Sequence, residues 1–112
     1  MRIGMLTYST KPRGGVVHAL NLSEALMDLG EDIRLFSLRK EGEREFSTGF
    51  YRKTRVPYDI FEYTSTGDIE RDVEHMIDTY KKNLPLDYEI YHSQDCVGAN
   101  ALSELRRLGN LN

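Results

Sequence analysis

A chain of 112 residues with 39% hydrophobic and 29% charged residues has the size and composition of one globular domain. Its net charge of −3 argues against a nucleic-acid binder, and no stretch approaches the roughly 18 apolar residues of a membrane-spanning helix. The single cysteine, Cys96, excludes an internal disulfide and a thiolate metal cluster, and it indicates a reducing compartment such as the cytoplasm.

The first third of the chain alternates between strand and helix patterns. Residues 2–8 (RIGMLTY) form an apolar run typical of a buried strand. Residues 16–29 repeat apolar side chains at helical spacing, and Gly30 follows at the position where helices often end with a positive φ. Residues 32–38 (DIRLFSL) then predict a second strand.

The middle of the chain is less regular. Residues 39–49 are polar and contain glycine, which predicts a loop. Residues 50–63 are aromatic and β-branched, but Pro57 interrupts them, so we expect an irregular or edge strand. Residues 67–83 predict a helix whose buried face begins at Ile69, with acids in its first turn and Lys81-Lys82 in its last.

The last third repeats the alternation. Residues 88–92 predict a short strand, and residues 96–108 predict a helix that ends at Gly109. Strands that alternate with helices indicate a parallel sheet with right-handed crossovers. The sequence therefore predicts one Rossmann-like, three-layer α/β domain over residues 1–112.

The segment between the first strand and the first helix has an unusual content of polar residues and glycine. In open parallel sheets, the loop after the first strand lies at the carboxyl edge, where ligands bind. Gly14 and Gly15 would let a ligand approach the backbone, and the N–H groups of Gly15, Val16 and Val17 are expected to be unpaired donors. The residues expected to assist an anion are Ser9, Thr10, Lys11 and Arg13. The alternative is a plain tight turn with solvated cations.

A second polar group, residues 92–95 (HSQD), falls where the last strand ends. Asp95 is placed to cap the final helix by accepting the Gly98 N–H. His92 is either a core histidine or a hydrogen-bond donor facing a cleft. Gln94 cannot act as an acid or base, but its amide can hold a hydroxyl group. Cys96, at the start of the helix, is expected to be a small buried residue rather than a reactive thiol.

Other chemistries have no support in the sequence. The three histidines have no metal-ligand spacing, and there is no H-E-x-x-H. Neither the P-loop pattern nor G-x-G-x-x-G occurs, and a G-x-S-x-G elbow is absent as well. We therefore expect no metal site and no dinucleotide cofactor.

Two segments together resemble a known family. Residues 9–38, STKPRGGVVHALNLSEALMDLGEDIRLFSL, are similar to the opening of retaining glycosyltransferases of the GT-B fold, family 4. Residues 88–102, YEIYHSQDCVGANAL, resemble a later segment of the same family, commonly Asp-Val-Val-His-x-His-Asp before a helix. The resemblance implies an enzyme that moves a sugar from a nucleotide-diphosphate sugar to an acceptor with retained anomeric configuration.

The resemblance also implies roles for individual residues. Gly14 and Gly15 match the glycines that approach the donor diphosphate, so with Val16 they are expected to bind it. His92 and Asp95 match a histidine and the aspartate of the later motif. Gln94 replaces the second histidine, so catalytic roles are open among these three residues. The leaving phosphate is thought to act as the base in such enzymes, and no metal is expected.

The chain is shorter than the family's enzymes. A GT-B enzyme has a second domain of about 150–200 residues that holds the nucleotide. We therefore expect an acceptor-side domain that is inactive alone. It is the product of a truncated gene, a fragment of a longer protein, or one half of a split enzyme whose second domain is carried by a separate chain. Its uncovered sheet edge also predicts a homodimer. The alternatives are a stand-alone module that binds a phosphate or carboxylate ligand, and a self-associating remnant.

Overall fold

The computed structural model describes residues 1–43 and 49–111. This part of the chain contains four β-strands, three α-helices and one short 3₁₀ helix. In chain order these are β1 (Arg2–Leu6), α1 (Gly14–Asp28), β2 (Asp32–Lys40), the 3₁₀ helix (Tyr51–Lys53), β3 (Tyr58–Tyr63), α2 (Ile69–Asn83), β4 (Ile90–Ser93) and α3 (Cys96–Arg107). None of the helices in these ranges is long and apolar enough to cross a membrane.

The four strands form one parallel sheet in the order β3-β2-β1-β4. α1 packs on one face of this sheet, while α2 and α3 pack against each other on the opposite face. The domain is therefore a three-layer, Rossmann-like α/β fold, as the alternating pattern predicts. The carboxyl ends of β1, β2 and β4 lie at one edge, which is where such folds bind ligands.

The packing of β2 explains why the strands have continuous runs of apolar residues rather than alternating apolar and polar residues. Ile33 and Leu35 face α1, whereas Phe36 and Leu38 face the α2 and α3 layer, and all four are buried. A strand covered on both faces needs apolar residues at successive positions. β2 ends at Lys40, two residues later than the sequence predicts, because its pairing with β3 continues to that residue.

The helix boundaries follow the expected capping chemistry. Gly30 ends the α1 region with a φ of +93°, which glycine adopts without strain. The Asp68 side chain caps α2 by accepting the Glu70 N–H at 3.0 Å. The expectation that Ile69 lies on the buried face is wrong: its side chain is 80% exposed because it stands in the first turn, beyond the sheet.

The middle of the chain, whose sequence is less regular, contains β3 and a predicted loop that is only partly described. Of residues 50–63, predicted as an irregular or edge strand, Tyr51–Lys53 form the 3₁₀ helix, and only Tyr58–Tyr63, directly after Pro57, form β3 at the edge of the sheet. The loop predicted for residues 39–49 falls partly on residues 44–48, which lie outside the described residues. The predicted strand at residues 88–92 is observed as Ile90–Ser93, and Gly109 ends the α3 region with a φ of +80°.

Candidate functional site

Two loops meet at the carboxyl edge of the sheet, because β1 and β4 are neighbouring strands. Residues 7–13 connect β1 to α1, and residues 94–95 connect β4 to α3. The Gln94 N–H lies 3.4 Å from the carbonyl oxygen of Leu6, the last residue of β1. The parallel topology therefore brings the two polar segments of the sequence to the same place.

α1 begins at Gly14, two residues earlier than the sequence predicts. Arg13 is the N-cap and its side chain does not cap the helix, while its carbonyl accepts the Val17 N–H at 2.8 Å. Val17 is thus not an unpaired donor, contrary to expectation. The N–H groups of Gly14, Gly15 and Val16 have no acceptor among the residues that the structure describes. They form the positive end of a 15-residue helix.

Conformation does not require the two glycines at this helix start. Neither has a positive φ, and a Cβ atom added to either would have no heavy atom of the described residues within 4 Å, apart from its chain neighbours and the backbone of α1 itself. Glycine in a helix costs roughly 0.5–1 kcal/mol relative to alanine. What Gly14 and Gly15 provide is open space directly over the backbone N–H groups, which suits the close approach of a ligand.

The polar residues of the loop are placed unequally. Ser9 Oγ accepts the Lys11 N–H at 3.1 Å, which leaves the Ser9 hydroxyl hydrogen to donate. The Lys11 ammonium lies 4.0 Å from the Glu43 carboxylate, and Arg13 is exposed. Thr10 is only 1% exposed, so its side chain belongs to the interior of the loop rather than to its surface.

Asp95 joins the two loops. Its carboxylate accepts the Gly98 N–H at 3.1 Å and so caps α3, as the sequence predicts. Burial raises the pKa of the Asp95 carboxyl, and hydrogen bonds from the backbone N–H groups of Gly98, Tyr8 and Val97 oppose that rise. Because the Tyr8 N–H belongs to the loop after β1, Asp95 fixes that loop against the start of α3.

His92, near the end of β4, and Gln94, in the loop after β4, lie side by side. The Gln94 Nε2 and His92 Nε2 atoms are 2.9 Å apart, and the His92 side chain is exposed. His92 is therefore not a core histidine, and the cleft-facing alternative fits its position. Cys96 is exposed, so the expectation of a buried residue is wrong: it is the first residue of α3.

A buried network of hydrogen-bonded hydroxyl groups holds the loop after β1 in place. The Thr7 hydroxyl lies 2.8 Å from Ser37 Oγ and 3.0 Å from the Ser9 carbonyl oxygen, and it also contacts the Tyr51 hydroxyl. The Tyr80 hydroxyl donates to the carbonyl oxygens of Thr7 and Phe36. These contacts tie the carboxyl end of β1 and the middle of β2 to α2. The sequence pattern does not predict them, because Tyr80 stands in an apolar helical stripe.

This network makes the stability of the protein sensitive to alkali. Burial raises the pKa of Tyr51 to about 12, while hydrogen bonds to Thr7 and Ser37 oppose the rise. A folded-state pKa above the unfolded value of about 10 stabilises the fold fully below pH 10, and this contribution is lost as the pH rises towards 12. We expect the free energy of unfolding to fall there by about 1.4 kcal/mol per pH unit for each such tyrosine.

Urea unfolding across this alkaline range measures the slope. Tyr51→Phe should be less stable at neutral pH, since it loses hydrogen bonds, but its stability should fall less steeply above about pH 10. Parallel curves for the two proteins would show that Tyr51 ionises equally in the folded and unfolded states.

The structure adds two residues that sequence reasoning assigned to a loop. Because β2 continues to Lys40, Arg39 and Lys40 lie at the carboxyl edge of the sheet and line a cleft beside Lys11 and Arg13. The strand pattern of residues 32–38 does not indicate that β2 continues to residue 40. No group of three or more histidine, cysteine, aspartate or glutamate side chains in the described ranges could hold a metal ion.

Comparisons with known proteins add no relative to this description. No protein-family model matches the chain, and no curated protein and no solved structure shows significant similarity to it.

Proposed function

We propose that this chain is the N-terminal, acceptor-side part of a retaining glycosyltransferase that uses a nucleotide-diphosphate sugar. The observation that carries the proposal is the meeting of the two segments that resemble this family. The first segment begins in the loop that follows β1, and the second contains β4 and the loop after it, so they meet at the carboxyl ends of neighbouring parallel strands. At this edge the Gln94 N–H lies 3.4 Å from the carbonyl oxygen of Leu6, the last residue of β1. Ligands bind at this edge in open α/β sheets.

The start of α1 is assigned to the donor diphosphate. Three backbone N–H groups at the positive end of the helix, those of Gly14, Gly15 and Val16, have no acceptor among the described residues, and the space beside Gly14 and Gly15 is open. When the bond between the sugar and the diphosphate breaks, negative charge develops on the leaving phosphate oxygens. Fixed N–H donors stabilise that charge, each hydrogen bond by roughly 1.5–3 kcal/mol. Lys11 and Arg13 add screened positive charge.

The end of β4 and the loop after it are assigned to hydroxyl groups of the reacting sugars. His92 and Gln94 both present polar atoms at the carboxyl edge, and they lie within 2.9 Å of each other. A glutamine amide donates and accepts hydrogen bonds but does not take up a proton. In this proposal the acceptor proton passes to the leaving phosphate, and Asp95 positions the loops because its carboxylate is already bonded to backbone N–H groups.

A second candidate is a binding module that needs no other domain. The open donors of Gly14, Gly15 and Val16 favour it, because they are complete within this chain. Both candidates bind a ligand at the start of α1. They differ in whether a sugar is then transferred.

The shared part of both candidates is tested by an NMR titration of the full chain with uridine diphosphate. We expect the amides of residues 13–18 to shift, because their N–H groups meet the phosphates. The amides at the start of α3 serve as an internal control, since Asp95 already caps that helix. Gly15→Val should abolish the shifts by filling the open space, and Lys11→Ala should only weaken them. Unmoved amides at residues 13–18 would reject the site.

Measurements of sugar transfer distinguish the proposed glycosyltransferase from the binding module. The chain alone should transfer no sugar from labelled UDP-, GDP- or ADP-sugars. If the downstream reading frame encodes a second α/β domain with a Glu-x₇-Glu segment, mixing the two chains should restore transfer. Binding without any transfer in that mixture would favour the module, and turnover by the purified chain alone would contradict the proposed division of labour.

A further inference from the structure

A second binding feature lies on the other side of the loop after β1, between the ends of β2 and β3. It is a cleft of about 180 Å³ whose apolar lining comes from Leu38, Tyr63 and Met76. This volume is below the roughly 300–1,000 Å³ of sites that enclose a whole drug-sized ligand. The cleft is therefore suited to one group of a ligand rather than to all of it.

The rim of the cleft is strongly positive, although the chain as a whole has a net charge of −3. Lys11, Arg13, Arg39 and Lys40 line it together with one carboxylate, that of Glu43. The Lys11 ammonium is 4.0 Å from Glu43, and neither Arg13 nor Lys40 has an ion-pair partner among residues 1–43 and 49–111. Four neighbouring cations repel one another, and a bound anion relieves that repulsion.

The guanidinium of Arg39, which lines this cleft, is incompletely paired. Its Nε atom is buried and has no hydrogen-bond partner in the described part of the chain, and its Nη2 atom lies 3.8 Å from Glu62. Arg34, on the same strand, shows the satisfied arrangement: its Nε and Nη2 atoms donate to Asp59 at 2.7 and 3.0 Å. A guanidinium fork matches a phosphate or carboxylate in this way. Arg39 has only the distant Glu62 carboxylate, and its Nε donor is unused among the described residues.

We infer that this cleft binds a phosphate monoester group of a small molecule, with the Arg39 fork as its anchor. A phosphate monoester carries a charge of about −1.5 to −2 at neutral pH, which suits several cations better than a single carboxylate does. Lys11 and Lys40 supply further positive charge, and the apolar lining contacts the carbon skeleton. The identification of this molecule as the sugar acceptor rests on the proposed function; the binding itself does not.

The test is a titration of the full chain with inorganic phosphate, at constant ionic strength, followed by the NMR signal of the Arg39 side-chain Nε–H group. We expect that signal to shift and saturate. Arg39→Gln should weaken phosphate binding by about tenfold or more, the change for one lost charged hydrogen bond. Arg106→Gln, an exposed change at the opposite end of the sheet, should leave it unaltered. Acetate should bind more weakly than phosphate.

Several results would overturn the inference. These are an unmoved Arg39 signal, equal effects of Arg39→Gln and Arg106→Gln, and acetate binding as tight as that of phosphate. If Arg39→Gln does not fold, the wild-type signal decides together with Lys40→Gln, which should weaken binding by roughly two- to fivefold. The amides of residues 14–16 report the proposed diphosphate site separately, so a failure of one site is distinguished from a failure of the other.

Discussion

Replacing Tyr80 with alanine is expected to lower the free energy of unfolding by about 3–5 kcal/mol, the usual cost of truncating a buried aromatic residue. The Tyr80 side chain is fully buried and its ring meets Phe61 edge to face at 6.2 Å. Its hydroxyl donates to the carbonyl oxygens of Thr7, directly after β1, and Phe36, in the middle of the neighbouring strand β2. The substitution removes both the packing and the hydrogen bonds.

Tyr80→Phe separates these two contributions. It keeps the ring and removes only the hydroxyl, so we expect a loss of about 1–3 kcal/mol. Urea unfolding of both variants measures the difference. If Tyr80→Phe were as stable as the original protein, the hydroxyl would contribute nothing to holding the loop after β1. A loss as large as that of Tyr80→Ala would mean that packing of the ring contributes little.

Gly98→Ala is expected to destabilise the protein by about 1–3 kcal/mol through overpacking. A Cβ atom at this position would lie 2.3 Å from Ser93 Oγ, 3.0 Å from Ser93 Cβ and 3.2 Å from Leu6 Cβ. Ser93 cannot move freely, because its hydroxyl donates to the Asp95 carbonyl at 2.8 Å. α3 would have to move away from the strands that it covers, and the cap made by Asp95 would weaken.

Two comparisons make this prediction specific. Gly14→Ala is the matched control, because a Cβ atom there meets nothing within 4 Å, and it should keep or raise stability by up to about 1 kcal/mol. In a Ser93→Ala background the cost of Gly98→Ala should be smaller, since the closest contact is gone. Equal costs in both backgrounds, measured by urea unfolding, would contradict the packing explanation.

The fold could be predicted from the sequence because its elements repeat in strong local patterns. Apolar runs of strand length, helical stripes and glycines after helices place β1, β2, β4 and the three α-helices to within a few residues, whereas β3 begins eight residues later than predicted and the 3₁₀ helix is not foreseen. Ile69 and Cys96 were misplaced for a common reason: each stands in the first turn of its helix, where spacing alone does not tell whether the turn reaches past the sheet edge. Burial at helix ends depends on tertiary packing.

The candidate site was predictable only in part. The glycine segment and residues 92–95 stand out in composition, and the alternating topology is enough to bring them to one edge. Arg39 was assigned to a loop, because a strand that ends in charged residues looks like the start of a loop. The hydroxyl network around Thr7 and Tyr80 could not be foreseen either, since it joins residues 73 positions apart in the chain.

The strand order also determines when β1 acquires its neighbours. β1 pairs with β2 about thirty residues further along the chain, but its other partner is β4, with Ile3 opposite Ile90. During synthesis the first strand therefore emerges long before the polypeptide that completes it. Closing so long a loop costs conformational entropy, and contacts of high sequence separation slow folding. Until β4 has been synthesised, one edge of β1 remains free to pair with other nascent chains.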